Sequence, residues 1–119
     1  MSVLIVDDHE MFRSRARTIV EAAGFDVVGE ADDAASALAQ VAELHPDVVL
    51  LDIQLPDADG FSVAEQLAGQ EDPPDVVLVS SREPLDFGSR LRTAPALGFI
   101  QKDDLSGASL LQVLSGGRR

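Results

Sequence analysis

Five polar side chains in this sequence each stand just beyond a short apolar run, and their types together can handle phosphate. Asp7 and Asp8 follow Val3 to Val6, Asp52 follows Val48 to Leu51, Ser80 follows Val76 to Val79, and Lys102 closes the run from Leu97 to Gln101. An Asp-Asp pair alone is explained by helix capping. A third carboxylate at the same place changes the balance, because like charges at about 4 Å repel by about 1 kcal/mol in water and about 4 kcal/mol at an effective dielectric of 20. Three converging acids therefore want a cation. An all-oxygen site with few protein ligands and room for water suits Mg²⁺ better than Zn²⁺, which prefers His and Cys. Lys102, otherwise a solvated lysine, becomes in that company a fixed counter-charge that can hold a phosphate. Ser80, otherwise a turn or cap hydroxyl, becomes a donor to an anion carried on Asp52. Such a set performs phosphoryl transfer, which is mainly positioning and charge neutralisation, and the carboxylate can itself be the nucleophile. His9 adjoins the pair and is expected at the surface of a helix start rather than as a ligand.

The elements that must bring these residues together are legible from periodicity. The apolar runs have no helical spacing and are bounded by turn formers such as His45-Pro46 and Leu55-Pro56-Asp57, which suits strands buried on both faces. Phe25 to Glu30 reads as a further strand. Residues 9 to 23 carry Phe12, Ala16, Ile19, Val20 and Ala23 at helical spacing, with Gly24 as the left-handed stop. A second helix is capped by Asp32-Asp33 and striped by Ala34, Leu38, Val41 and Ala42, and Pro46 closes it. Phe61, Ala64, Leu67 and Ala68 make a third, after a loop framed by Pro56 and Gly60, and Glu71 to Pro74 is a connector. The fourth helix is poor: Pro84 suits a first turn, but Gly88 and Pro95 interrupt it and Leu85, Leu91 and Phe87 are its whole apolar face. Ser106 caps a fifth, packed by Leu110, Leu111 and Leu114 and ended by Gly116-Gly117. Strand and helix alternate five times, which calls for a parallel sheet with helices on both faces. In such sheets ligands bind outside the carboxyl ends of the strands, and Asp7, Asp8, Asp52, Ser80 and Lys102 all stand there.

Composition limits the function classes. A chain of 119 residues makes one domain able to bury roughly two-thirds of its unfolded surface. With no cysteine there is neither a disulfide framework nor a thiolate metal site. No apolar run is long enough for a signal peptide or membrane span, so a cytoplasmic location is expected. The net charge of −12 argues against direct nucleic-acid binding, which needs clustered Lys and Arg. Arg13, Arg15 and Arg17 fall together early in the chain and are expected as a solvated helix face.

These motifs resemble the receiver domain of bacterial two-component response regulators. The matching stretches are VLIVDD, LDIQLPDADG with Asp52, Pro56 and Gly60 in register, VLVSS, and GFIQK with Phe99 and Lys102; VDDHEMFR is similar to the subfamily that usually carries a helix-turn-helix output domain. The resemblance implies a flavodoxin-like (βα)5 three-layer sandwich with a parallel five-stranded sheet in the order 2-1-3-4-5, over residues 1–115, with 116–119 as a tail or linker start. It implies that Asp52 accepts a phosphoryl group from a sensor histidine kinase or a histidine phosphotransfer protein. Asp8, Asp52 and the Gln54 carbonyl would hold Mg²⁺, with Asp7 assisting through water. Lys102 would contact the phosphoryl group, Ser80 and Phe99 would form the switch pair, and Gln54 and Arg82 would tune phosphate lifetime. The face made by helix 4, strand 5 and helix 5 would carry the output or a homodimer contact. The chain is then a phospho-acceptor rather than a turnover enzyme, either a single-domain regulator or a fragment of a transcriptional one. One departure stands out: the family often has a cis proline after its lysine, whereas Asp103 follows Lys102, where a cis bond would cost roughly 3 kcal/mol, so a different loop is expected. The competing class is a receiver-shaped interaction module that signals by binding alone. A flavodoxin-type electron carrier would need a hydroxyl-rich loop in place of Asp7-Asp8 and flanking Trp or Tyr, which the chain lacks.

Overall fold

Alternation within the buried strands divides the core in two. A computed structural model describes residues 1–116. In chain order it has β1 (Ser2–Val6), α1 (Glu10–Ala22), β2 (Asp26–Ala31), α2 (Ala34–Leu44), β3 (Val48–Asp52), α3 (Gly60–Ala68), β4 (Asp75–Ser80), α4 (Arg90–Thr93), β5 (Gly98–Gln101) and α5 (Gly107–Gly116), with 3-10 turns at Pro84–Phe87 and Lys102–Asp104. All neighbouring strands are parallel, in the order β2-β1-β3-β4-β5. Because successive strand residues point to opposite faces, Val3, Ile5, Val48, Leu50, Val77 and Val79 pack under α1 and α5, while Leu4, Val6, Val49, Leu51, Val76 and Leu78 pack under α2 and α3. Each such side chain is worth about 1.5–3 kcal/mol on burial, so β1, β3 and β4 are the rigid frame.

The helices start and stop for local reasons. Asp33 accepts from the Ser36 N–H and Asp59 from the Ser62 N–H, capping α2 and α3. Ser106 and Ser109 exchange backbone-to-hydroxyl bonds at the head of α5. Gly24, at φ 93°, takes the expected left-handed stop after α1, and His45 at φ 47° ends α2 before Pro46. Gly60 is required for packing: a Cβ there would collide with the Asp52 carbonyl oxygen and the backbone of Ile53, so only glycine lets α3 start against the end of β3.

Several expectations need correction. The fourth helix is only a 3-10 turn followed by the four-residue α4, and its Leu85 points to solvent, 89% exposed. No residue from Ser81 to Leu97 is buried, so tertiary packing does not rescue the poor propensity of this segment. Leu111 is about half exposed, whereas Ala37 and Val63, absent from the expected stripes, are buried and Ala42 and Ala68 are not. The buried stripe of α2 is thus Ala34, Ala37 and Val41, and that of α3 is Gly60, Phe61, Val63, Ala64 and Leu67. Gly116 belongs to α5, and the remaining expected tail, Gly117 to Arg119, lies outside the described residues. No described peptide bond is cis, and Lys102 opens its own 3-10 turn. No helix among the described residues is long and apolar enough to cross a membrane.

Candidate functional site

The carboxyl ends of β1, β3 and β5 bring three of the expected residues into contact. Lys102 Nζ lies 2.6 Å from Asp7 Oδ2 and 3.3 Å from Asp52 Oδ2, and 4.7 Å above the Phe12 ring centroid. Asp7 and Asp52 are buried, and Lys102 is nearly so. The ammonium thus separates two acids that would otherwise repel at low dielectric. Asp52 remains perturbed: burial foremost, then the charge of Asp7, push its carboxyl up to about 6, against the opposing pull of Lys102 and the Gln54 N–H that donates to Oδ1 at 3.2 Å. Asp8, more exposed, stands at the rim.

A cation fits this donor set. Ligand atoms of Asp7, Asp8, His9 and Asp52 lie within 4.8 Å of one another. Asp7 Oδ2 is buried, and the charge that faces it is the Lys102 ammonium at 2.6 Å. His9 is exposed, as its position suggested, but its Nδ1 reaches to 3.1 Å from both Asp7 Oδ1 and Asp8 Oδ1.

The other expected residues stand nearby but apart. Ser80 is fully buried at the end of β4, and its Oγ accepts from the Arg82 N–H at 3.1 Å. Phe99 pairs with Leu78 in register and Gln101 with Ser80, so Ser80 and Phe99 point to the same face of the sheet. The half-buried Phe99 ring stacks edge-on against Phe87 at 6.1 Å, and Phe87 against Phe61 at 5.8 Å. Gln54 and Arg82 are exposed and line one cleft together, with Asp59, Phe61, Phe87 and Arg90 on its walls.

Residues that sequence reasoning passed over hold this site in shape. Arg13 was expected in a solvated face; its Nη1 donates to the Asp7 carbonyl at 2.7 Å and its Nε to Glu30 at 3.1 Å. Arg15 donates to the Lys102 carbonyl, and Arg17 joins Arg13 on Glu30. These bonds, led by that from Arg17, hold the Glu30 carboxyl below its usual range. Asp57 accepts from the N–H groups of Ala34 and Ala35 at the head of α2, which lowers its pKa and pins the loop after β3. Asp59 pairs with Arg90 of α4, whose guanidinium lies 4.2 Å over the Phe61 ring. Only the clustering of arginines and of Asp57 and Asp59 in LPDADG signalled these roles beforehand.

A family model described as the response regulator receiver domain matches residues 3–114. Response regulator GacA of Pseudomonas viridiflava is 35% identical over 117 residues, 98% of this chain and 53% of that protein. Protein-glutamate methylesterase/protein-glutamine glutaminase 5 of Myxococcus xanthus is 38% identical over 116 residues, 96% of this chain and 33% of that protein. Among solved structures, the signal receiver domain of the response regulator designated NarL from Mycobacterium tuberculosis is similar with a TM-score of 0.86 and 32% identity, covering 99% of this chain and 97% of that one. The chain spans about half the length of the first curated relatives it matches.

Proposed function

The chain belongs to the response regulator receiver domain family, and from that premise we propose that Asp52 is the residue that accepts the phosphoryl group. The observation that carries this is the buried Asp7–Lys102–Asp52 arrangement at the end of the central strand. In the transfer, a carboxylate oxygen of Asp52 attacks the phosphorus of a phosphohistidine on a sensor kinase or phosphotransfer protein; a P–O bond forms, the P–N bond breaks, and the imidazole leaves with its electron pair. Asp8, Asp52 and the Gln54 carbonyl would hold Mg²⁺, with Asp7 acting through water. The cation, when bound, neutralises charge that develops on the phosphoryl oxygens.

The remaining roles belong to side chains of this chain. Lys102, already drawn between two acids, neutralises the new phosphate as a point charge. Phe12 beneath its ammonium and Arg15 on its carbonyl orient it. Arg13 fixes the Asp7 backbone. The Ser80 hydroxyl, whose oxygen now accepts from Arg82, has its proton free for a phosphoryl oxygen. Movement of Ser80 would draw in the weakly packed segment from Ser81 to Leu97 and with it Phe87 and Phe99. The face of α4, β5 and α5 is thereby the output surface, open to a partner or a second copy. Nucleic-acid contact is assigned to another segment or chain, given the net charge of −12, and a cytoplasmic setting suits a kinase partner.

Incubation with a small phosphodonor and Mg²⁺, read by intact mass, tests the proposal. Wild type should gain one phosphoryl group and Asp52→Asn none, with its circular dichroism unchanged. A gain in Asp52→Asn equal to wild type would assign the acceptor elsewhere.

A further inference from the structure

The cleft beside Asp52 has one fixed wall and one loose one. Its volume is about 590 Å³, and it is lined by Gln54 and Arg82, whose backbone N–H groups donate to Asp52 and to Ser80. The wall after β3 is braced. Gln54 and Asp59 form a backbone bridge, the Gly60 N–H donates to the Ile53 carbonyl at 2.6 Å, and Asp57 is tied to the head of α2. The facing wall belongs to the stretch from Ser81 to Leu97, which has no buried residue and contributes Phe87 and Arg90. Among the described residues, Arg90 makes the only side-chain hydrogen bond from residues 83–96 to another element, its Nη2 donating to Asp59 Oδ2 at 3.2 Å. Its guanidinium also lies 4.2 Å over the ring of Phe61, buried at the head of α3. Asp59 is itself held, since its Oδ1 accepts from the Ser62 N–H at 2.8 Å.

We infer that Arg90 is a strap that holds α4 across this cleft and, by keeping the loose wall closed, limits the access of water to a phosphoryl group on Asp52. The strap is independent of which residue is the acceptor; its effect on phosphate lifetime rests on Asp52 being that residue. The hydrolysis so limited is attack of a water oxygen on phosphorus: a P–O bond forms, the P–O bond to Asp52 breaks with its electron pair kept by the carboxylate, and both protons leave with inorganic phosphate. An ion pair between side chains 57% and 48% exposed contributes little by itself. Stacking on a fixed ring changes this, because a guanidinium gains from the negative face of the ring and from planar contact with it. Where no buried residue competes, even a modest contact decides how often a segment opens. The competing arrangement is a surface pair that forms and breaks with no bearing on the segment around it.

Two measurements separate the strap from its effect. Hydrogen exchange on the cation-free, unphosphorylated chain should be about tenfold faster between Ser81 and Leu97 in Arg90→Ala than in wild type, with the urea midpoint and exchange in β1, β3 and β4 unchanged. Arg90→Lys, which keeps the charge without the planar stack, should fall between the two, and Arg92→Ala, on the same short helix, should match wild type. After loading with a small phosphodonor and Mg²⁺ and removal of the donor, Arg90→Ala should lose its phosphoryl group at least about threefold faster than wild type, with Arg90→Lys again between. Exchange in Arg90→Ala equal to wild type, faster throughout the chain, or matched by Arg92→Ala would overturn the strap. Faster exchange with unchanged decay would overturn its effect on lifetime. A wild type that takes up no phosphoryl group would refute the assignment of Asp52 and the lifetime effect with it, while exchange would still decide the strap.

Discussion

Removing the charge of Asp52 should stabilise the cation-free fold. A carboxyl that ordinarily titrates at 3.8 and here at about 6 is more easily protonated folded than unfolded. At about 1.4 kcal/mol for each pH unit of displacement, ionising it in the fold costs about 3 kcal/mol. The sign follows from proton binding: between pH 4 and 6 the native state holds more protons at Asp52 than the unfolded state. Stability from this group is therefore fully present below about pH 4 and lost as pH rises through about 6. Asp52→Asn keeps the shape and an oxygen for the Gln54 N–H, and Lys102 keeps its 2.6 Å contact with Asp7. Since Lys102 loses one of two partners, the net gain at pH 7.5 should be about 2 kcal/mol, which is a shift of about 1 M in the urea midpoint at a slope of about 2 kcal/mol/M. Urea titrations followed by circular dichroism, in chelator, at pH 7.5 and at pH 4, would measure it. The difference between variant and wild type should shrink to near zero at pH 4. A variant no more stable than wild type at pH 7.5, or equally more stable at both pH values, would refute the account of Asp52 as a strained, buried acid.

Mg²⁺ should raise the melting temperature of wild type, by about 1.4 kcal/mol of stabilisation at a tenfold excess over Kd, and Asp8→Ala should lose the effect; thermal melts with and without the cation decide. Gln54→Ala and Arg82→Ala, both on the cleft beside Asp52, should change the decay rate of the acyl phosphate severalfold without moving the acceptor, as loss of radiolabelled phosphate would report. Decay identical to wild type in both would remove them from the path of the hydrolytic water. With beryllofluoride as phosphoryl mimic, hydrogen exchange should change most between Ser81 and Lys102 and less so in Ser80→Ala. A change confined to the loop after Asp52 would mean that Ser80 does not relay the signal.

The sheet and the position of the site were legible because two local signals agree. Four-residue apolar runs ending in a polar residue define strands, and alternation with helical spacing forces them parallel, which collects Asp7, Asp52 and Lys102 at one edge. The weakness of the fourth helix was visible in Pro84, Gly88 and Pro95, but its reduction to four residues was not, since propensity alone does not say that Leu85 finds no surface to cover. Helix faces were misread where alanine is involved: Ala37 is buried and Ala42 and Ala68 are not, because methyl burial depends on how closely the helix approaches the sheet. The arginine network was hidden for a different reason. Arg13 and Arg17 meet Glu30 across a turn of chain, and Arg15 meets the carbonyl of Lys102 from the far end of the sequence; such partners exist only once α1 lies on the sheet.

The stretch from Ser81 to Leu97, without a single buried residue, has a consequence for how the polypeptide can be divided. A protease is expected to cut there first, since local opening costs least where few contacts close the chain. The cut would leave a large piece with β1 through β4 and a small one with β5 and α5, still joined by the parallel pairing of Val77 to Ser80 with Gly98 to Gln101 and by Leu110 and Leu114 in the core. Asp7 and Asp52 lie on the first piece and Lys102 on the second. The domain is thereby suited to fragment complementation, in which two separately made halves regain the contacts of Lys102 with Asp7 and Asp52 only when the seam between β4 and β5 closes.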